Sequence, residues 1–111
     1  FSLLFAMNLR YMAADWMGGP LANCDDQTLD LVYTRKGVGR LGWICLSPPM
    51  LAGRIASQPR VRIVKCKEIE VKSIDGHFSL DGERMPMGTV RLSVLPAEDR
   101  IRIVVNRGIC A

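Results

Sequence analysis

Histidine occurs once, at position 77, and none of the four cysteines, Cys24, Cys45, Cys66 and Cys110, forms a Cys-x-x-Cys pair. A structural zinc site needs four Cys or His ligands at short spacings, so the sequence argues against one. Aromatic residues are sparse, and Phe78 is the one aromatic side chain after Trp43. A sheet that stacks nucleobases needs more, which argues against nucleic acid as a partner. No apolar run approaches the ~20 residues of a membrane helix. The longest opens the chain, Phe1 to Met7, without the basic flank and small-residue cleavage site of a signal peptide. Acidic residues are missing altogether between Asp30 and Glu68, while Arg35, Lys36, Arg40, Arg54, Arg60, Arg62, Lys65 and Lys67 fall there. That stretch favours an anionic partner or a solvated cationic face.

What is present is globular: 49% hydrophobic and 23% charged residues over 111 positions, enough for one domain or part of one. A start at Phe1 inside an apolar run suggests that the chain is a fragment of a longer protein. Scattered single cysteines read as small buried hydrophobes, reduced in a cytosolic setting.

The second half alternates apolar and polar residues with the period of a half-buried strand. Val61-Arg62-Ile63 does so, and Lys67 to Lys72 does again, with a slip of phase at Val64 that suggests a bulge. Asp75-Gly76 and Asp81-Gly82 supply turns, and Thr89 to Leu95 and Ile101-Ile103-Val105 resume the alternation around Pro96. In the first half, Phe1 to Met7 and Thr28 to Arg35 read as strands, the latter with Leu29, Leu31 and Tyr33 on one face. Leu9 to Asp26 reads largely as loop. A helix begins near Gly37 and is expected to break at Pro48-Pro49, since neither proline has an N–H to donate. The expected fold is mainly β with one or two short helices, an antiparallel sandwich.

Two segments have the look of phosphate-binding elements. Gly37-Val38-Gly39-Arg40-Leu41-Gly42 is a literal G-x-G-x-x-G after a strand, but the acid expected about 20 residues on is missing and the later strands look antiparallel. It reads as a flexible strand-to-helix turn. Asp81-Gly82-Glu83 is ordinary hairpin chemistry that also places two carboxylates and an accommodating glycine at one strand end.

The segment Gly76-His77-Phe78-Ser79-Leu80-Asp81-Gly82-Glu83, with Val90 to Pro96 after it, resembles the C-terminal end of diacylglycerol, ceramide and sphingosine kinases, where a G-x-F-x-x-D-G-E hairpin precedes a strand. Phe1, Leu3, Ala6, Pro20, Cys24, Leu31, Tyr33, Arg35, Gly37, Val38 and Arg40 follow the sphingosine kinase order, and Leu29 to Arg35 looks like that family's L-x-L-x-x-x-R strand. The resemblance covers about residues 1–106, leaving 107–111 as a tail.

It implies part of the C-terminal β-sandwich of a two-domain lipid kinase, which transfers phosphate from ATP, with Mg2+, to a long-chain sphingoid base. The nucleotide, the metal and the catalytic aspartate would sit mainly on an N-terminal kinase domain. Asp81, Gly82 and Glu83 would contact the nucleotide. Leu3, Phe5, Met12, Trp16, Val32, Trp43, Leu46 and Met50 would line a lipid tunnel, reshaped by the Pro48-Pro49 break and the bulky Trp16 and Trp43. No catalytic residue and no metal ligand falls in the chain, which is expected to be inactive alone. The resemblance also implies a cytoplasmic enzyme, peripherally associated with a membrane surface. The alternatives are a non-catalytic lipid-binding scaffold, a diacylglycerol or ceramide kinase of the same superfamily, and a small basic nucleic-acid module.

Overall fold

The computed structural model describes residues 3–72 and 76–101. Its centre is β2 (Leu29–Thr34), flanked by β1 (Leu4–Met7) and β3 (Val61–Cys66) in an antiparallel sheet of order β1-β2-β3. The register sets Phe5 opposite Val32 and Val32 opposite Ile63. Side chains alternate across a sheet, so Phe5, Met7, Asp30, Val32, Thr34, Val61, Ile63 and Lys65 share one face. Leu4, Leu29, Leu31, Tyr33, Arg62, Val64 and Cys66 share the other.

The first face is covered by α1 (Arg40–Leu51). Val32, Val38, Leu46, Met50, Ile55 and Val61 are buried together, with Phe5, Trp43 and Ile63 packed against them. Phe5 meets Trp43 edge to face at 6.4 Å, an aromatic pairing worth about 0.5–1.5 kcal/mol beyond its burial. Each buried aliphatic side chain adds about 1.5–3 kcal/mol.

The expected break at Pro48-Pro49 does not occur: α1 runs through both prolines to Leu51. Their missing N–H groups leave the carbonyls of Ile44 and Cys45, both exposed residues, without the usual helical donor four residues on. Burial of Leu46 before the prolines and Met50 after them holds the helix together. The Ala52 and Arg54 N–H groups then close the end onto the Pro48 and Pro49 carbonyls at 3.0 and 2.7 Å.

The phase slip at Val64 is not a bulge. Val61 to Cys66 pairs with Leu29 to Thr34 without interruption. The strand carries apolar residues on both faces, because Val61 and Ile63 meet the α1 side while Val64 borders a groove on the other. After Lys67 the chain enters a second sheet, β4 (Glu68–Lys72) paired antiparallel with a later strand. Between them lies a hairpin, β5 (Phe78–Leu80) and β6 (Glu83–Met85), and the partner of β4 is β7 (Thr89–Ser93). A 3-10 turn, Ala97–Asp99, follows Pro96. The Asp75 side of the first expected turn, the strand expected through Ile103 and Val105, and the 107–111 tail lie outside the described residues. The whole is mainly β with one short helix and small antiparallel sheets, as the sequence led one to expect.

Candidate functional site

Asp81 and Gly82 join β5 to β6 with φ of 49° and 91°. Positive φ at both central positions is the requirement of a type I′ turn, whose twist matches that of the strands it joins. Leu80 pairs with Glu83 and Phe78 with Met85, so one hairpin face carries Phe78, Leu80, Glu83 and Met85. Asp81, Gly82 and Glu83 are all exposed, and nothing lies within 4 Å of where a Gly82 Cβ would be. The turn therefore presents two carboxylates and open backbone to whatever approaches. Such a tip can accept hydrogen bonds from hydroxyl or amine donors, or from water around a cation.

The apolar residues expected to line a tunnel divide into three groups. Phe5, Val32, Trp43, Leu46 and Met50 gather in the packed cluster between the sheet and α1. Leu3 lies at the entry to β1, its carbonyl accepting from the Thr34 N–H at 3.0 Å. Met12 and Trp16 are exposed in the loop after β1, tied to each other by a backbone bond of 2.9 Å from the Met12 N–H to the Trp16 carbonyl.

Open apolar space lies instead on the other face of the sheet. A groove of about 410 Å3 runs between β1-β2-β3 and β4, walled by Leu4, Leu31, Tyr33, Val64, Ile69 and Val71, with the charged Glu70 and Lys72 also on its lining. The alternation of Leu29, Leu31 and Tyr33 signalled a second apolar face. What the sequence did not show is that β4 stands off from it, leaving an open groove.

The sequence reading also missed a charged cluster. Lys65 on β3 faces Asp30 on β2, and its ammonium donates to Asp30 Oδ2 at 2.9 Å, Asp26 Oδ2 at 2.5 Å and the Leu21 carbonyl at 3.1 Å. All three of its donors are used, fastening the loop before β2 to the sheet. Asp26 also accepts from the Thr28 hydroxyl and N–H. Its hydrogen bond from Lys65, then that from the Thr28 hydroxyl, hold its carboxyl down at about 2. In return Asp26 and then Asp30 raise the Lys65 ammonium above its ordinary range. Asp30 is fully buried, and neither its Oδ1 nor the buried Thr34 hydroxyl has a hydrogen-bond partner among the described residues. Lone acids in a strand carry no spacing signal, so only the strand register brings these together.

Gly37 to Gly42 does join a strand to a helix, with Gly39 as the uncapped N-cap of α1. The strand after the helix is antiparallel to the one before it, whereas a dinucleotide fold needs a parallel crossover. Among the described residues no group of three or more His, Cys, Asp and Glu side chains is placed to hold a metal. Cys45 and Cys66 are free. Cys24, in contrast, is disulfide-bonded, which corrects the expectation of reduced thiols throughout. Spacing along the chain cannot reveal such a bond, because it depends on two sulfurs meeting in space. Cys110 lies outside the described residues.

Small antiparallel sheets around one short helix, with an exposed acidic hairpin tip, define a β-sandwich-like domain. The chain belongs to the YegS C-terminal NAD kinase beta sandwich-like domain family, whose pattern it matches over residues 3–104. That family is part of the diacylglycerol kinase-like lipid kinase superfamily. No curated protein matches the chain. Among the described residues no helix is long and apolar enough to cross a membrane.

Proposed function

We propose that this chain is the C-terminal domain of an ATP-dependent kinase whose substrate is a long-chain sphingoid base. The observation that carries the reading is the groove on the sheet face away from α1. Its volume, about 410 Å3, is near the low end for ligand pockets, and its lining, mostly apolar with Glu70 and Lys72 among it, suits one alkyl chain with a polar head better than two chains. The order of residues shared with sphingosine kinases supports the same choice.

In this reading Asp81 and Glu83 form one edge of the nucleotide site, accepting from ribose hydroxyls or from water on Mg2+. They fit that task as exposed hard-oxygen groups beside an open glycine. They are too few to hold a metal unaided, so the phosphates and an N-terminal kinase domain supply the remaining ligands and the catalytic aspartate. Phosphoryl transfer depends on positioning and charge stabilisation, and this chain by itself is inactive.

The test is transfer of the ATP γ-phosphate by the full-length protein, offered sphingosine, ceramide or diacylglycerol. Turnover is expected with sphingosine. Val64→Trp, which fills the groove from an exposed position, should raise the KM for sphingosine about tenfold with little change in that for ATP. Turnover with diacylglycerol alone, or an unchanged KM for sphingosine in Val64→Trp, would overturn the assignment.

A further inference from the structure

We infer that Glu70 sets the specificity of the groove: its carboxylate accepts from the ammonium of a long-chain base and so selects a cationic head over a neutral one. The inference rests on the reading of the groove as the place of the alkyl chain, and it names the group that reads the head. Along β4, Ile69 and Val71 take one side while Glu68, Glu70 and Lys72 take the other. Ile69, Glu70, Val71 and Lys72 all border the groove, so it is open to both sides of the strand. In the ladder to β7, Arg91 stands directly opposite Glu70. Its guanidinium nevertheless reaches diagonally to Glu68, engaging one carboxylate oxygen through Nε and Nη2. The cation that register offers Glu70 is thereby held by Glu68.

Among the described residues the Glu70 carboxylate has no side-chain hydrogen bond and no ion pair. The Lys72 ammonium and the Tyr33 hydroxyl, which also border the groove, are likewise without partners there. An apolar wall thus meets one free carboxylate, one free ammonium and one phenol, and a few such groups around apolar space are what orient a ligand. An alkyl chain whose head carries an amine and hydroxyls satisfies all three. Its ammonium donates to Glu70, and its hydroxyl oxygens accept from Lys72 or Tyr33. A diacylglycerol head is neutral, so seating it strips water from Glu70 and returns no opposite charge. The amide of a ceramide is neutral too, and it brings a second chain. A fatty acid meets Lys72 but sets its own carboxylate against Glu70.

The test uses the full-length protein and two lipids, sphingosine with its free amine and N-acetylsphingosine, in which an amide removes the charge. The second is read as an inhibitor of sphingosine phosphorylation. Glu70→Gln keeps the size of the side chain and removes its charge. It should raise the KM for sphingosine about tenfold, the effect of losing one charge-assisted bond at a solvated rim. The kcat and the KM for ATP should hold, and so should inhibition by N-acetylsphingosine, which has no charge to lose a partner. Glu70→Asp should recover part of the loss, while Glu98→Gln, the same change at an exposed position after β7, should have no effect. Glu70 is exposed, so the melting temperature of these variants should not shift. An unchanged KM for sphingosine in Glu70→Gln, or an equal loss for both lipids, would defeat the inference. If Val64→Trp still raises the KM for sphingosine in that event, the groove reading stands and only the role of Glu70 falls. If Val64→Trp is silent as well, both fall.

Discussion

Lys65 donates to Asp30 across the β2–β3 ladder at 2.9 Å, although the Asp30 side chain has no exposed surface while that of Lys65 is 43% exposed. The pair is therefore half inside and half out. The buried carboxylate depends on a cation whose own charge is partly solvated.

Removing the cation should be costly for that reason. Lys65→Met leaves the buried Asp30 side chain without its partner, and we expect a loss of about 2–3 kcal/mol. That is less than for a fully buried pair, because water reaches the site. Urea unfolding of the variant measures it. A change within about 0.5 kcal/mol, the range of ordinary surface substitutions, would mean that the Lys65–Asp30 contact adds nothing to stability.

The same cluster sets a pH dependence. Asp26 has its carboxyl depressed from 3.8 to about 2, so the unfolded chain binds the proton more readily. Stability from this group is present above about 4 and is lost as pH falls toward 2. Lys65 is shifted upward, so its contribution is complete at neutral pH and is lost only on the alkaline side. Thermal melts at stepped pH should show stability rising between about pH 2 and 4. Asp26→Asn should flatten that rise, and an identical slope would place the effect on other carboxylates.

Pro48 offers a stabilising change. An alanine there restores an N–H to the Ile44 carbonyl and removes the ring clash, against a gain of freedom in the unfolded chain. We expect Pro48→Ala to add about 1–2 kcal/mol. A lower melting temperature would show that the ring packs usefully on the outer face of α1.

At the hairpin, Gly82→Ala puts a Cβ on a residue with φ of 91°, which should loosen β5–β6 by about 1 kcal/mol. Amide exchange of Leu80 and Glu83 should quicken while that of Val32 stays slow. Glu83→Ala leaves the turn geometry intact. In the full-length protein it should raise the KM for ATP and leave that for the lipid unchanged, the outcome that separates a nucleotide contact from a structural turn.

Met50 gauges the core beneath these features. It is 1% exposed at the centre of the cluster between sheet and helix, and Met50→Ala should cost about 3 kcal/mol by leaving a cavity. Leu41→Ala on the opposite side of the same helix should cost about 0.5 kcal/mol or less. Equal losses in chemical denaturation would contradict the assignment of inner and outer faces.

The sequence by itself determined the strands and the tightest turn. Leu29 to Thr34 and Thr89 to Ser93 alternate clearly, and Asp81-Gly82 is chemically suited to positive φ. These are local matters of side-chain period and backbone sterics. Only the tertiary structure decided the rest. Pro48 and Pro49 remain helical because Leu46 and Met50 are buried on either side of them, and Val64 proved to belong to a second apolar face. Phe5 and Trp43 meet while Trp16 stands apart, and Lys65 finds Asp30 through strand register alone. Period and spacing register what neighbours along the chain prefer. They carry no record of which distant surface will supply the burial or the opposite charge that overrides that preference.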